Sequence, residues 1–468
     1  MLKEFSWPFD HCPLPLAYVK VWACIYLFRS NVHMPSVSNS SEPRVQGDKV
    51  THKRAAISSF WRLPRNVYLL LLFTTGKGFQ LSIAALTLNY YVHSLGYQPD
   101  FIGVFSAMPA VGACIAAVPT GMLVNRIGRK PVLLLTAFLT PLMLALCALV
   151  TSAPLLLVAN LIQGLVSTAY WVTNLPLLSE STTQEQRVGV LALNSFLLLG
   201  IGALGNLLGG AIPEFVAGLL HVSAGSAIPL RWGVFSAALF TFVFGLPLWL
   251  LQEPRGLDKA TSREAASEQA NEVGDVRAEQ SSTWLFVKLL LPDLVFTMGE
   301  GAVVALIQLY FVLRFQLLPG TLGIIFTISG LAGGIFSLTA PLFVKRWSKL
   351  RLVTSVQYIS APLMVLIGFA PTLPLAITGE YARSFLRTLI EPVYAAFAME
   401  QVSDRQRAIL AGCYAVTWSI GFSIGPTIAG WLQSSVNLAA SFVFGGFCLL
   451  LAPSLLLLFF GKKNTSMQ

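Results

Sequence analysis

Charged residues stand inside long apolar stretches of this 468-residue chain, among them Lys77, Asp293, Glu300, Glu380, Arg383, Arg387 and Glu391. A charge held at membrane depth costs about 3 kcal/mol by insertion scales, so each is a candidate for chemistry or for charge pairing. Four of them share one helix. At about 100° per residue, Glu380, Arg383, Arg387, Glu391 and Tyr394 fall on one face, and Phe385, Leu389, Val393 and Ala396 fall on the other. The stripe should therefore look into a protein-lined or watery interior. Spacings of three and four let Glu380 pair with Arg383 and Arg387 with Glu391. Alternatively, the two arginines bind an anionic group, or a carboxylate that takes up a proton.

Polar groups recur elsewhere at a fixed distance. Lys77 stands one turn from Gln80, and Glu300 lies 220 residues beyond Gln80. Asn89 and Gln308 add amides to the same two stretches, and a cavity between the two sets is the natural consequence. Asn89-Tyr90-Tyr91 aligns with Leu309-Tyr310-Phe311. With Tyr170, Trp171, Asn174 and Trp418, these aromatics can line a site for an amphipathic organic molecule, although each alone also suits packing or an interface position. Three cations (Lys77, Arg383, Arg387) face four acids, which leaves one carboxyl surplus. A surplus acid in a low dielectric can carry a proton. Glu300 is the expected carrier, because Asp293 follows Pro292 nearer one end and is expected to be solvated. Without Asp293 the charges balance.

Other chemistries find no support. Cys12, Cys24, Cys114, Cys147, Cys413 and Cys448 have no metal-ligand spacing, and none of the five histidines lies in a long apolar run. Neither a metal nor a cofactor is expected, and no nucleophile and base are paired within the apolar stretches, so an enzyme is not expected either. Gly-x-x-x-x-Gly-Lys-Ser/Thr is missing from the sequence, and with it the usual cradle for a nucleoside triphosphate. Gly200-Ile-Gly-Ala-Leu-Gly205 fits a dinucleotide pattern, but no strand precedes it and apolar helix surrounds it. Helix packing is the better reading, as for the pairs Gly205/Gly209, Gly330/Gly334 and Gly421/Gly425.

The elements that must hold these residues follow from composition. Apolar residues make up 55% and charged residues 11%, and mean hydropathy is +0.69. A soluble chain carries about 25% charged residues. Lipid must therefore solvate most of this surface. Stretches long enough to cross about 30 Å of hydrocarbon run over 67–92, 101–123, 132–150, 155–178, 188–212 and 232–251. After a polar segment they resume over 285–313, 322–344, 352–370, 375–399, 408–432 and 438–460. Backbone groups in lipid must be satisfied within their own segment, so these are helices.

An offset of 220 residues aligns the halves without a gap. Gly103 falls on Gly323, Arg126 on Arg346, Pro154 on Pro374, Glu180 on Glu400, Arg187 on Arg407, Gly205 on Gly425 and Gly210 on Gly430. The sequence predicts an all-α membrane protein of twelve transmembrane helices, built as two pseudo-symmetric six-helix bundles related as parallel repeats. The expected layout is an N-terminal segment 1–66, a bundle 67–251, a linker 252–283, a bundle 284–460 and a tail 461–468. Assigning loops alternately gathers Lys and Arg on one side, at 44–65, 126–130, 187, 255–277, 345–351, 405–407 and 462–463. The other side holds only Arg231 and Arg314. Both termini and the linker are thus expected in the cytoplasm, and the net charge of +10 reflects topology and not a nucleic-acid partner. The sequons at Asn39 and Asn464 fall on that same side and read as accidental. Residues 1–33 fit neither a span nor a signal peptide, so translation is expected to start at Met34.

Gly121-Met-Leu-Val-Asn-Arg-Ile-Gly-Arg-Lys130 resembles the loop signature of the major facilitator superfamily (MFS), Gly-x-x-x-Asp-Arg-x-Gly-Arg-Arg/Lys. Asn125 stands in the Asp position. Span number, repeat and linker extend the resemblance from Phe60 onward. It implies that Gly121, Asn125, Arg126, Gly128, Arg129 and Lys130 form a cytoplasmic latch between the halves, with Glu180 as acidic partner. Asn125 keeps a capping oxygen but lacks the charge, which implies a weaker or less pH-sensitive latch. The second copy, Pro341 to Lys349, keeps chiefly Arg346, with Glu400 as its partner by the offset. Ser419 to Gly430 is similar to the Gly- and Pro-bearing eleventh span of that superfamily. The resemblance implies a secondary transporter that moves a small organic molecule by alternating access, and proton coupling is the leading energetic reading. An uncoupled facilitator and a transporter-like sensor are the alternatives. The expected setting is a monomer in the inner or plasma membrane, with substrate, lipid and protons as partners.

Overall fold

The structure is a computed structural model and describes residues 63–252, 280–337 and 347–461. Most of the N-terminal segment with Met34, nearly all of the linker, Arg346 and most of its loop, both sequons and the C-terminal tail lie outside the described residues.

The apolar stretches among the described residues are helical, as their lengths require. The first six helices are α1 (Arg65–Ser94), α2 (Pro99–Ile127), α3 (Arg129–Leu149), α4 (Ala153–Glu180), α5 (184–220) and α6 (Ala227–Gly245, tightening into a 3-10 turn at Leu246–Leu250). The second six are α7 (280–315, broken at Ala305-Leu306), α8 (Pro319–Ser337), α9 (Lys349–Phe369), α10 (Leu373–Glu400), α11 (Asp404–Ser435) and α12 (Ala440–Phe460). Ten described helices are long and apolar enough to cross a membrane. The apolar run described in α8, Pro319–Gly333, is shorter, and α10 carries the four charges of the stripe. Large apolar side chains stand exposed around the outside, among them Val118, Phe215 and Leu458. Such a surface belongs in lipid.

Packing repeats with the sequence. Helix α1 lies against α5 and α6, α2 against α4, and α3 against α4 and α6; α7 lies against α11 and α12, α8 against α10, and α9 against α10 and α12. Each pair in the second set is the first set advanced by six helices. Two seams join the sets, α2 with α11 and α5 with α8.

Glycine makes both seams. A Cβ on Gly103 or on Gly430 would collide with the backbone of the other helix, at Pro426 and Gly430 in one case and at Pro99 and Gly103 in the other. The partners 220 residues away do the same, since a Cβ on Gly323 would meet Asn206 and Gly210, and one on Gly210 would meet Pro319 and Gly320. Beside the second seam Glu214 of α5 accepts a hydrogen bond from the Gly320 amide at 2.9 Å. That places a carboxylate at the N-terminus of α8, where the helix dipole favours it.

These contacts lie at the end where α1 leads into α2, here termed the far end. Toward the loop end, where α2 turns into α3 through Gly128, the same faces separate. Along α2 the face of Gly103 is buried at Ala107 and Ala110 and exposed at Cys114 and Val118. Along α11 the face of Gly430 is buried at Pro426 and Ser419 and exposed at Ala415 and Gly412. Gly121 and Gly412 meet nothing within 4 Å. Along the seam of α2 with α11 the bundles therefore touch at the far end and diverge at the loop end.

Candidate functional site

The charged stripe of α10 meets α7 in the interior of the second bundle. Arg383 Nε and Nη2 donate to the two oxygens of Glu380, each at 2.9 Å. Its Nη1 donates to Glu300 Oε2 on α7, also at 2.9 Å. All three residues are buried, and this fork-on-fork geometry is what a guanidinium needs to stay charged away from water. The spacing of three that paired Glu380 with Arg383 in the sequence operates here.

Arg387 behaves differently from its expected pairing. Its Nε lies 3.6 Å from Glu300 Oε2, and its side chain is 32% exposed; Glu391 stands in an exposed position. A tertiary partner on α7 has displaced the one four residues along the helix. Glu300 thus serves two arginines and balances charge with them, so the surplus-acid argument does not apply to it.

The uncompensated acid is Asp293, two turns nearer the loop end. Only 8% exposed, it is not the solvated group the sequence led one to expect, because Pro292 sits inside α7 and not at its end. Among the described residues no cation comes within salt-bridge distance of it. Glu391 and Tyr394 of α10 and Tyr414 of α11 surround it. Tyr394 donates to the Leu289 carbonyl at 3.0 Å, and Tyr414 reaches the Tyr394 hydroxyl at 3.5 Å.

The first bundle holds a neutral copy of this arrangement. By the 220 offset Gln80 stands for Glu300, Asn160 for Glu380, Gln163 for Arg383 and Ser167 for Arg387. Gln163 Nε2 donates to Ser167 Oγ at 3.2 Å, and Asn160 donates to the Phe105 carbonyl at 2.7 Å. The single cation comes from α1. Lys77 is 0% exposed, donates to Ser167 Oγ at 2.9 Å and lies 5.9 Å from the centre of the Tyr170 ring. Gln80, one turn on, is buried with Oε1 unpartnered, as is Gln308 Oε1 in α7.

Loopward of Lys77, Thr74 donates to Asn194 at 2.7 Å, Tyr170 donates to Thr74 at 3.2 Å, and Asn174 donates to Asn194 at 3.1 Å. These residues join α1, α4 and α5 where α5 widens into a π-helical stretch, Phe196–Ile201. A cavity of about 80 Å³ opens there, lined by Tyr170, Trp171, Asn174 and Asn194 among others.

The aromatics divide. Tyr91 and Tyr310 are buried and donate to Ala148 and Ile367 carbonyls at 2.8 Å, so they fasten helices. Trp171 and Trp418 stand exposed. Asn89 ties the bundles together, since its Nδ2 donates at 2.8 Å to Ala305 at the break in α7 and its Oδ1 accepts from Ser106 at 3.0 Å.

Comparison with known proteins decides the family. The model of the Major Facilitator Superfamily matches residues 68–388. The chain belongs to the Major Facilitator Superfamily. No curated protein matches it. Solved structures of the same fold include a bacterial homologue of the human lysosomal transporter Spinster, inward-facing and occupied, with TM-score 0.65 and 13% identity over 84% of this chain and 94% of that one. The xylose transporter XylE from E. coli in an inward-open conformation gives 0.63 and 15% over 83% and 95%. The nucleoside transporter NupG gives 0.63 and 15% over 85% and 99%.

Within this superfamily's fold the loop signature has a definite geometry. Gly128 adopts φ 89°, a left-handed conformation that glycine takes without strain, and it turns α2 into α3. Arg129 then forms an ion pair with Glu180 at the end of α4, whereas Asn125 and Arg126 are exposed. In the second bundle Glu400 pairs with Lys349, the residue 220 beyond Arg129. Arg346 lies outside the described residues. Each of these ion pairs lies within one bundle, so in this state neither latches the halves together.

Proposed function

We propose that this superfamily member is a secondary active transporter of a small organic molecule, working by alternating access and coupled to protons, in an inner or plasma membrane with its loop end cytoplasmic. The observation that carries the reading is the pair of glycine seams. They close the far end backbone to backbone, while the faces of α2 and α11 part at the loop end, and charged groups of both bundles lie at mid-depth. The bias of Lys and Arg toward loop-end segments supports the orientation, and the inward-facing descriptions of the Spinster homologue and XylE agree with it.

Asp293 replaces Glu300 as the proton-exchanging group. It is a buried carboxyl with tyrosines and a second carboxyl about it, and a charge there goes unpaired. Glu300, held by Arg383 and Arg387, keeps the bundle together. That same balance favours the second reading, an uncoupled facilitator, since every other buried acid already has a cation.

Purified protein in liposomes, given a pH gradient and a panel of anionic, zwitterionic, cationic and neutral organic compounds, tests the proposal. Compound-dependent proton entry is expected. Flux that leaves internal pH unchanged contradicts coupling, and proton entry without any compound contradicts carriage.

A further inference from the structure

Lys77, Ser167 and Gln163 form a buried polar cluster with one cation and no anion. The Lys77 ammonium has three N–H donors and makes one hydrogen bond, to Ser167 Oγ at 2.9 Å. Gln163 Nε2 donates to the same oxygen at 3.2 Å. A serine hydroxyl has two lone pairs and one proton; both lone pairs are engaged, so its O–H remains to be given. Beyond these two bonds the described side chains give the remaining ammonium protons only the face of the Tyr170 ring, 5.9 Å away, and although Gln80 Oε1, one turn along α1, is an acceptor without a partner, no anionic acceptor answers them. Among the described residues no carboxylate comes within salt-bridge distance of Lys77, although the residue is wholly buried. A buried cation without an anion is costly, and a site that waits for one explains the cost.

Placement puts this cluster one helical turn from the cavity beside Tyr170 and Trp171. Ser167 is half-buried and stands for Arg387 of the second bundle, itself 32% exposed. One turn on, Trp171 is exposed and lines the 80 Å³ cavity with Tyr170 and Asn174. The second bundle offers no comparable vacancy, since Glu300 and Glu380 hold Arg383 and Glu300 also approaches Arg387.

We infer that Lys77, Ser167 and Gln163 form the subsite for a carboxylate group of the transported molecule, with the Trp171 face taking its apolar body. This deepens the carrier reading and rests on it. Binding brings the counter-charge that α1 and α4 lack, so Lys77 is a specificity-determining residue and not a structural one.

The test uses the full chain in detergent with propionate, hexanoate and benzoate, each beside its primary amide, and reads the rise in Tm. At least one carboxylate is expected to raise Tm where its amide does not. Lys77→Met should weaken that carboxylate about tenfold or more, as should Ser167→Ala, while Lys77→Arg retains most of the binding. The unliganded K77M protein should melt no lower than the parent, because the substitution removes an unpaired buried charge. A lower Tm of K77M with unchanged carboxylate binding would make Lys77 a structural tie and overturn the assignment. Equal shifts by acid and amide, or a shift by no carboxylate, overturn it as well. Proton-coupled flux of a neutral compound in the liposome assay beside such a failure removes the subsite and leaves the carrier; failure of both removes both.

Discussion

Gly103 of α2 packs against Gly430 of α11 so closely that a Cβ on either would overlap the other's backbone. Gly323 and Gly210, one repeat away from these two, make the equivalent contact between α8 and α5. Two bulky side chains cannot share either seam. Gly103→Leu or Gly210→Leu should therefore prevent closure at the far end, and transport should fall by about two orders of magnitude while the protein still inserts and folds. Initial uptake rates in liposomes, with circular dichroism as the folding control, check this; full-rate uptake by either variant contradicts the role of the seams.

The buried ion cluster sets a stability prediction. Arg383→Gln leaves Glu380 without a cation and Glu300 with only the longer approach of Arg387, at a cost of about 3 to 5 kcal/mol, because breaking a buried pair strands a charge. Replacing all three by Glu300→Gln, Glu380→Gln and Arg383→Met should recover most of that. Tm in detergent reports both; a triple variant as unstable as R383Q shows that the cluster does more than balance charge.

Sequence and structure agree where a pattern depends on period or length, and part where it depends on a partner across helices. Twelve apolar lengths and one offset were enough to foresee the helices, and Gly103, Gly210, Gly323 and Gly430 all fell on that offset. The partner of Arg387 was not legible, because Glu391 on the same helix and Glu300 on another are both within reach of a flexible arginine, and only packing chooses. The offset that carries Arg126 onto Arg346 also carries Arg129 onto Lys349, and Lys349 is the described residue that pairs with Glu400. Ser167 and Gln163 carry no charge to mark them within an apolar run, although the offset carries Arg387 and Arg383 onto them. The π-helical stretch of α5 left no mark that a hydrophobic pattern carries.

Proton coupling through Asp293 makes a directional claim. Asp293→Asn keeps the shape and removes the ionisable group, so transport should lose its pH dependence and counterflow of substrate should persist. Glu300→Gln should weaken folding more than it changes the pH profile. Rate against pH for the two variants separates them, and a flat profile in E300Q with a normal one in D293N would return the proton to Glu300.

At the loop end, Arg129 and Glu180 act as one unit. Arg129→Ala and Glu180→Ala should each slow the cycle several-fold with little loss of ligand affinity, and the double variant should be no slower than either single one. Arg126→Ala, at an exposed position, should have the smaller effect. Additive losses in the double variant would mean that the two residues act separately.

The central claim is that the two ends open in turn. Spin labels on a cysteine-free background at Gln98 and Ser435 report the far end, and labels at Asn125 and Ile409 report the loop end. Pulsed electron–electron resonance should show the loop-end distance shorten as the far-end distance lengthens when a transported compound and a pH gradient are supplied. Both distances staying fixed under every condition, or both changing in the same direction, would contradict alternating access by these two bundles.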